Sequence, residues 1–212
     1  MAAGLLALGT ATHAEAGNLI AAPSFDTNAE YLANWENLPA GTWTDLDFEE
    51  NPLSGSVAIN NDLLDAGTGI PVITPCLTVT PGATYRFSAW QFTPSPQLAA
   101  GYARLSLQWR DSCPSGALGD NSTAASSDVT LAWTFFSGEA TAPAGANGAH
   151  LWLTAVKTPA SGTFSVYFDE AFVPEPDQSA SVLAAAASLA ALWRRRGSAR
   201  RDGSRQHRTA TC

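Results

Sequence analysis

The sequence predicts an all-β fold: an antiparallel β-sandwich of the jelly-roll type, followed by a short hydrophobic C-terminal helix. Three observations carry that expectation. Short runs rich in Val, Thr, Phe, Tyr and Trp recur between turn residues from Gly17 to Glu170. Several runs alternate strictly between apolar and polar residues, as a strand with one buried face must. No segment of twelve or more residues in that span shows helical periodicity.

In chain order the runs are WTDLDF (43–48), GSVAINN (55–61), PVITPCLTV (71–79), ATYRFSAWQF (83–92), GYARLSLQW (101–109), LAWTFFSGEATA (131–142), AHLWLTAV (149–156) and GTFSVYFDEAFV (162–173). In the fifth, Ala103, Leu105, Leu107 and Trp109 fall on one face, with Arg104, Ser106 and Gln108 on the other. In the seventh, Ala149, Leu151, Leu153 and Ala155 oppose His150, Trp152 and Thr154. The last turns Phe164, Val166 and Phe168 inward and Ser165, Tyr167 and Asp169 outward. Pro81-Gly82 supplies the turn before the fourth run, Pro fixing φ near −65° and Gly accepting a positive φ. The Ser/Ala/Gly/Asp-rich stretch from Pro114 to Asp128 reads as a long loop. Seven or eight such strands bury one face of each of two sheets against the other.

The ends of the chain read differently from its centre. Residues 1–16, MAAGLLALGTATHAEA, combine an apolar run with Ala14-Glu15-Ala16, a small-x-small cleavage pattern, and read as a signal peptide whose basic n-region is missing. A plain N-terminal extension is the other reading. Residues 17–172 form the sandwich, 173–197 an apolar segment closed by Arg194, Arg195 and Arg196, and 198–212 a basic tail. Gln178–Trp193, as a helix, would measure about 24 Å against a hydrocarbon core of ~30 Å. That length suits a transient span held by the three arginines better than a lasting anchor, and a short helix packed on the sandwich is the alternative. Between Gly17 and Asp177 there are 17 carboxylates against Arg86, Arg104, Arg110 and Lys157, a formal net charge of −13. A domain so acidic repels a phosphate backbone, which argues against nucleic acid as its partner.

Of three cysteines, Cys212 ends the tail. Cys76 and Cys113 can pair if the chain reaches an oxidising compartment; otherwise they are buried thiols. Neither a CxxC motif nor Cys/His spacing suggests zinc.

NLIAAPSFDTN (18–28), GSVAINN (55–61), CLTVTPGATYRFSAW (76–90), WTFFSGEATAPAGANGAHLWL (133–153) and SGTFSVYFDEAFV (161–173) follow one another in an order that resembles carbohydrate-binding-module jelly rolls of the galactose-binding-like superfamily. The likeness covers about three quarters of the chain, and its motifs are mostly core and turn residues. It implies one structural Ca2+ with Asp26 and Asp169 at the acidic positions of the opening and closing motifs; ordinary turn capping by these aspartates is the alternative. The C-terminus resembles a PEP-CTERM sorting signal, with Val173, Pro174, Glu175 and Pro176 ahead of the apolar run and Arg194, Arg195 and Arg196 behind it. That resemblance implies an exported bacterial protein, processed by an exosortase-type protease after transient membrane contact and placed on the cell surface or in the extracellular matrix.

Catalytic signals are sparse. His150 is the domain's sole histidine and no G-x-S-x-G elbow occurs, which disfavours a Ser-His-Asp triad or a His-based metal centre. Asp45, Asp47, Glu49 and Glu50 could in principle supply a glycosidase carboxylate pair, but such a run reads first as a solvated loop. Binding signals are stronger. Trp90, Arg104, Gln108, Trp152 and Tyr167 fall opposite the core-facing positions, and aromatic planes beside planar polar groups suit sugars. A core or under-loop role for Trp90 and Trp152 is the competing reading, because a one-residue slip inverts a strand. The expected function is a non-enzymatic protein bound to polysaccharide. The alternatives are a structural surface or biofilm protein that contacts proteins and, behind it, a small glycosidase.

Overall fold

The computed structural model describes residues 17–113, 116–125 and 131–175. The expected signal peptide, Pro176, the C-terminal apolar helix, Arg194–Arg196 and the tail lie outside the described residues.

Within them the chain is the expected antiparallel sandwich. A short helix α1 (Asn28–Asn34) precedes strands β1 (Gly41–Thr44), β2 (Ser56–Asn61), β3 (Gly69–Ile73), β4 (Leu77–Thr78), β5 (Thr84–Phe92), β6 (Gly101–Arg110), β7 (Ala117–Ala125), β8 (Thr134–Thr141), β9 (Gly148–Lys157) and β10 (Phe164–Phe172). One sheet has the order β1-β2-β10-β5-β8; the other runs β3-β9-β6-β7, with β4 also pairing to β9. Every strand pair is antiparallel.

The core is what the alternation requires. Tyr85, Phe87 and Ala89 of β5, with Phe164, Val166 and Phe168 of β10, face Ala103, Leu105, Leu107 and Trp109 of β6 and Leu151, Leu153 and Ala155 of β9, and all are buried. Gly82 takes φ 79° in the Pro81-Gly82 turn, closed by the Ala83 N–H donating to the Thr80 carbonyl at 3.1 Å.

Four local features depart from the sequence reading. Residues 117–125 form β7 inside the stretch read as a loop; its small and polar residues carry no alternation signal, and its backbone pairs along β6. The run 71–79 divides into β3 and β4 around Thr74-Pro75-Cys76, where Pro75 has no N–H for a ladder. The run 43–48 ends as a strand at Thr44, because the Asp47 carboxylate takes the N–H groups of Glu49 and Asn51, both at 2.8 Å, and turns the chain. Helix α1 is capped by Thr27, whose side chain accepts from the Glu30 N–H at 3.2 Å, with Glu30 in the capping-box position. Seven residues are too few for helical periodicity to show.

The first and last described residues meet at the end of β10. Asn18 Oδ1 accepts from the N–H groups of Ile20 and Val173, and its Nδ2 donates to the Ala171 carbonyl. Leu19 N–H donates to the Val173 carbonyl and Glu175 N–H to the Gly17 carbonyl, both at 2.8 Å. Val173, Pro174 and Glu175, the first residues of the sorting-type motif, are therefore built into the sandwich.

Cys76 and Cys113 form a disulfide with a Cα–Cα distance of 5.6 Å. It ties the start of β4 to the loop after β6, across β9. Gly148 lies under it: a Cβ there would come within 2.7 Å of both sulfurs.

Candidate functional site

The outer faces of the two sheets differ in chemistry. On the second sheet, β6 points Tyr102, Arg104, Ser106, Gln108 and Arg110 away from the core, and β9 points His150, Trp152 and Thr154 the same way. Pairing places Thr154 opposite Arg104, Trp152 opposite Ser106 and His150 opposite Gln108. Arg104, Trp152 and Gln108 thus lie on one continuous surface, each half-buried, two registers of a strand from end to end.

Each of these side chains is held by its neighbours. Arg110 donates from Nη2 to Gln108 Oε1 at 3.1 Å, fixing the amide orientation. His150 is buried, with Nδ1 2.6 Å from the Thr74 carbonyl, so the β3–β4 connection covers that end of the face. At the other end a Cβ on Gly69 would meet Thr154 Cγ2 at 2.6 Å and Arg104 Nη2 at 3.4 Å; glycine leaves the room in which the guanidinium lies beside Thr154.

Four polar atoms on this face are buried without a hydrogen-bond partner: Nε of Arg104, Nε of Arg110, Nε1 of Trp152 and Oγ1 of Thr154. An unmade hydrogen bond on a buried donor costs about 1–3 kcal/mol. These atoms are covered, so what the face presents outward is the remaining, partly exposed surface of Arg104, Gln108, Arg110 and Trp152.

The first sheet carries the other two residues expected to bind. Trp90 is on β5 and Tyr167 on β10, strands of the opposite sheet, so the five candidates do not form one site. Alternation gave their outward direction, but it contains no information on which sheet a strand joins. Both lie outside the hydrophobic core cluster, as does Trp152. Trp90 stacks on Phe48 at 4.7 Å and meets Phe135 edge-on at 5.5 Å, while Phe92 contacts Trp133 at 5.7 Å and Tyr167 at 5.8 Å. Phe48, Phe92, Trp133 and Phe135 were missed in the sequence. Phe92 and Phe135 stand in the runs 83–92 and 131–142, but the meeting of the rings depends on the register Trp90↔Phe135, which no local pattern carries. These rings satisfy one another, and the nearby cation Arg86 is paired with Glu139 at 2.8 Å.

Asp26 and Asp169 are held separately. Asp26 accepts from Ser54 Oγ at 3.0 Å. Asp169 is buried below the Phe48 loop and accepts from the Phe48 N–H at 3.1 Å and the Glu170 N–H at 2.8 Å. Burial, with smaller contributions from Glu170 and Asp47, pushes its carboxyl up to about 9 against those two donors. A cation bound there would have to displace the proton. Among the described residues no group of three or more His, Cys, Asp or Glu is arranged to hold a metal. The acidic run is a loop whose Asp45, Glu49 and Glu50 are exposed.

No protein-family model matches the chain, and no curated protein matches it. Solved structures do resemble it. The enzymatically active domain of tailspike protein 4 of bacteriophage CBA120 aligns with a TM-score of 0.54 at 14% identity, over 76% of this chain and 22% of that one. The CBM22-1 xylan-binding domain of Xyn10C from Paenibacillus barcinonensis aligns with a TM-score of 0.50 at 17% identity, over 76% of this chain and 96% of that one. The CBM22-1-GH10 modules of Clostridium thermocellum Xyn10B give a TM-score of 0.50 at 17% identity, over 75% and 29%. The chain therefore spans under a third of the tailspike and xylanase chains, and nearly all of the Paenibacillus module. At these identities the likeness is one of fold, shared with carbohydrate-binding modules.

Proposed function

We propose that this chain is an exported, non-catalytic protein that binds polysaccharide on the outer face of the β3-β9-β6-β7 sheet. The observation that carries the reading is the row of partly exposed donors, Arg104, Gln108 and Arg110, beside the partly exposed Trp152 ring on one sheet face. Sugars present C–H faces that stack on such a ring and hydroxyls that accept from such donors. The aromatic face of the other sheet has rings, but they pack on one another and its cation Arg86 is paired with Glu139. The sandwich shared with carbohydrate-binding modules supports the same reading.

Delivery belongs to the proposal too. The disulfide suits an oxidising compartment. The PEP-CTERM-like C-terminus supports processing by an exosortase-type protease, and association with extracellular or surface exopolysaccharide follows from that address. Affinity electrophoresis through gels containing a panel of soluble polysaccharides tests the binding. At least one should retard the protein; free migration through all of them, the source organism's own exopolysaccharide included, would sink the reading.

A structural protein that contacts other proteins is the second reading, and the aromatic cluster around Trp90 and Phe92 favours it. It expects a protein partner and no glycan retardation.

A further inference from the structure

The charges of the described region are distributed in a way that names the class of glycan. Four cations stand among its carboxylates. Arg86 is paired with Glu139 at 2.8 Å on the first sheet. Lys157 is buried, donating from Nζ to the carbonyls of Leu63 and Gly162. The remaining two, Arg104 and Arg110, both project from the outer face of β6, on either side of Ser106 and Gln108.

Among the described residues neither has a carboxylate partner. Arg110 donates to Gln108 Oε1, a neutral acceptor, and Arg104 makes no hydrogen bond; the Nε atoms of both are buried and unpaired. Among the described residues no carboxylate occupies an outward position of β3, β6 or β9, and the one in the Trp152 row is Glu36, bridged to Ile73 beside β3. Six residues of strand separate the Arg104 and Arg110 backbone positions by about 20 Å. Trp152 lies across from Ser106, two residues from Arg104 and four from Arg110. A guanidinium is a rigid planar fork that matches a carboxylate with two parallel hydrogen bonds, and it keeps its charge at all physiological pH. The other sheet offers no such pair of open cations among the described residues.

We infer that the polysaccharide bound on this face is acidic, carrying carboxylates at intervals along its chain that Arg104 and Arg110 receive while a sugar ring stacks on Trp152. This rests on the glycan-binding reading and specifies its ligand. The overall negative charge of the domain opposes approach of such a polymer, so selection for it comes from the paired arginine contacts and not from long-range steering.

The test compares three uronic-acid polymers, polygalacturonate, alginate and hyaluronate, each with its carboxyl-reduced neutral counterpart, by titration calorimetry with the full chain. At least one polymer should bind ten times more tightly than its reduced form. The pair Arg104→Gln/Arg110→Gln, with unfolding temperature checked against the parent, should bring the two forms within about twofold, and Arg104→Lys/Arg110→Lys should keep part of the preference. Equal affinity of the parent for both forms, or binding of neutral glycans alone, overturns the acidic assignment and leaves glycan binding standing. No binding of any polymer, acidic or neutral, overturns both.

Discussion

Asp169 shows how one buried carboxyl can set the pH response of a sandwich. Its carboxyl is raised to about 9 in the folded protein, chiefly by burial, whereas the unfolded chain holds it near the ordinary 3.8. Between those values the folded state binds a proton that the unfolded state has released, so stability falls as pH rises, by up to about 1.4 kcal/mol per unit. Asp169→Asn, which keeps the size and removes the ionisation, should flatten that slope and raise stability at pH 8 relative to pH 5. Urea unfolding at both pH values checks it, and parallel slopes for parent and variant would refute the assignment. At the same scale, Trp152→Ala should weaken polysaccharide binding roughly tenfold or more, as truncation of a central aromatic does. Trp90→Ala, on the opposite sheet, should change it by less than about twofold, within the range of a neutral contact.

Among the elements, β4, β6 and β9 form the end of the second sheet that the disulfide braces. With the cysteines 37 positions apart in sequence, reduction should lower stability by ~3–4 kcal/mol in the chain-entropy model. Gly148→Ala would force a methyl against both sulfurs at 2.7 Å and should cost about 1–3 kcal/mol. Denaturant titration with and without reductant measures both effects. The strands with strict alternation were legible in the sequence: β6, β9 and β10 have the inward residues their patterns implied, although Asp169, expected outward, is buried beneath the Phe48 loop. Element β7 was not, since a run such as ALGDNSTAA is specified by the backbone of its neighbour and not by its own side chains. The cap of α1 was written in Thr27 and Glu30, but a seven-residue helix has too little periodicity to announce itself.

For the molecule as a whole, sequence alternation could point Arg104, Gln108, Trp152, Trp90 and Tyr167 outward, yet their division between two faces is a matter of topology. Long-range pairing puts β6 beside β9 and β5 beside β10, and no local pattern encodes which strands share a sheet. The result is a sandwich with one polar, donor-rich face and one face of mutually packed aromatics. The chain contains seven tryptophans, and Trp152, Trp90 and Trp133 report on the two faces separately. The most direct measurement is therefore a nitrogen-15 NMR titration with a retarded polysaccharide. The account predicts that the Trp152 indole and the amides around Arg104 and Gln108 shift together while the Trp90 and Trp133 indoles stay in place. Shifts confined to Trp90, Trp133 and the strands of the first sheet would contradict it.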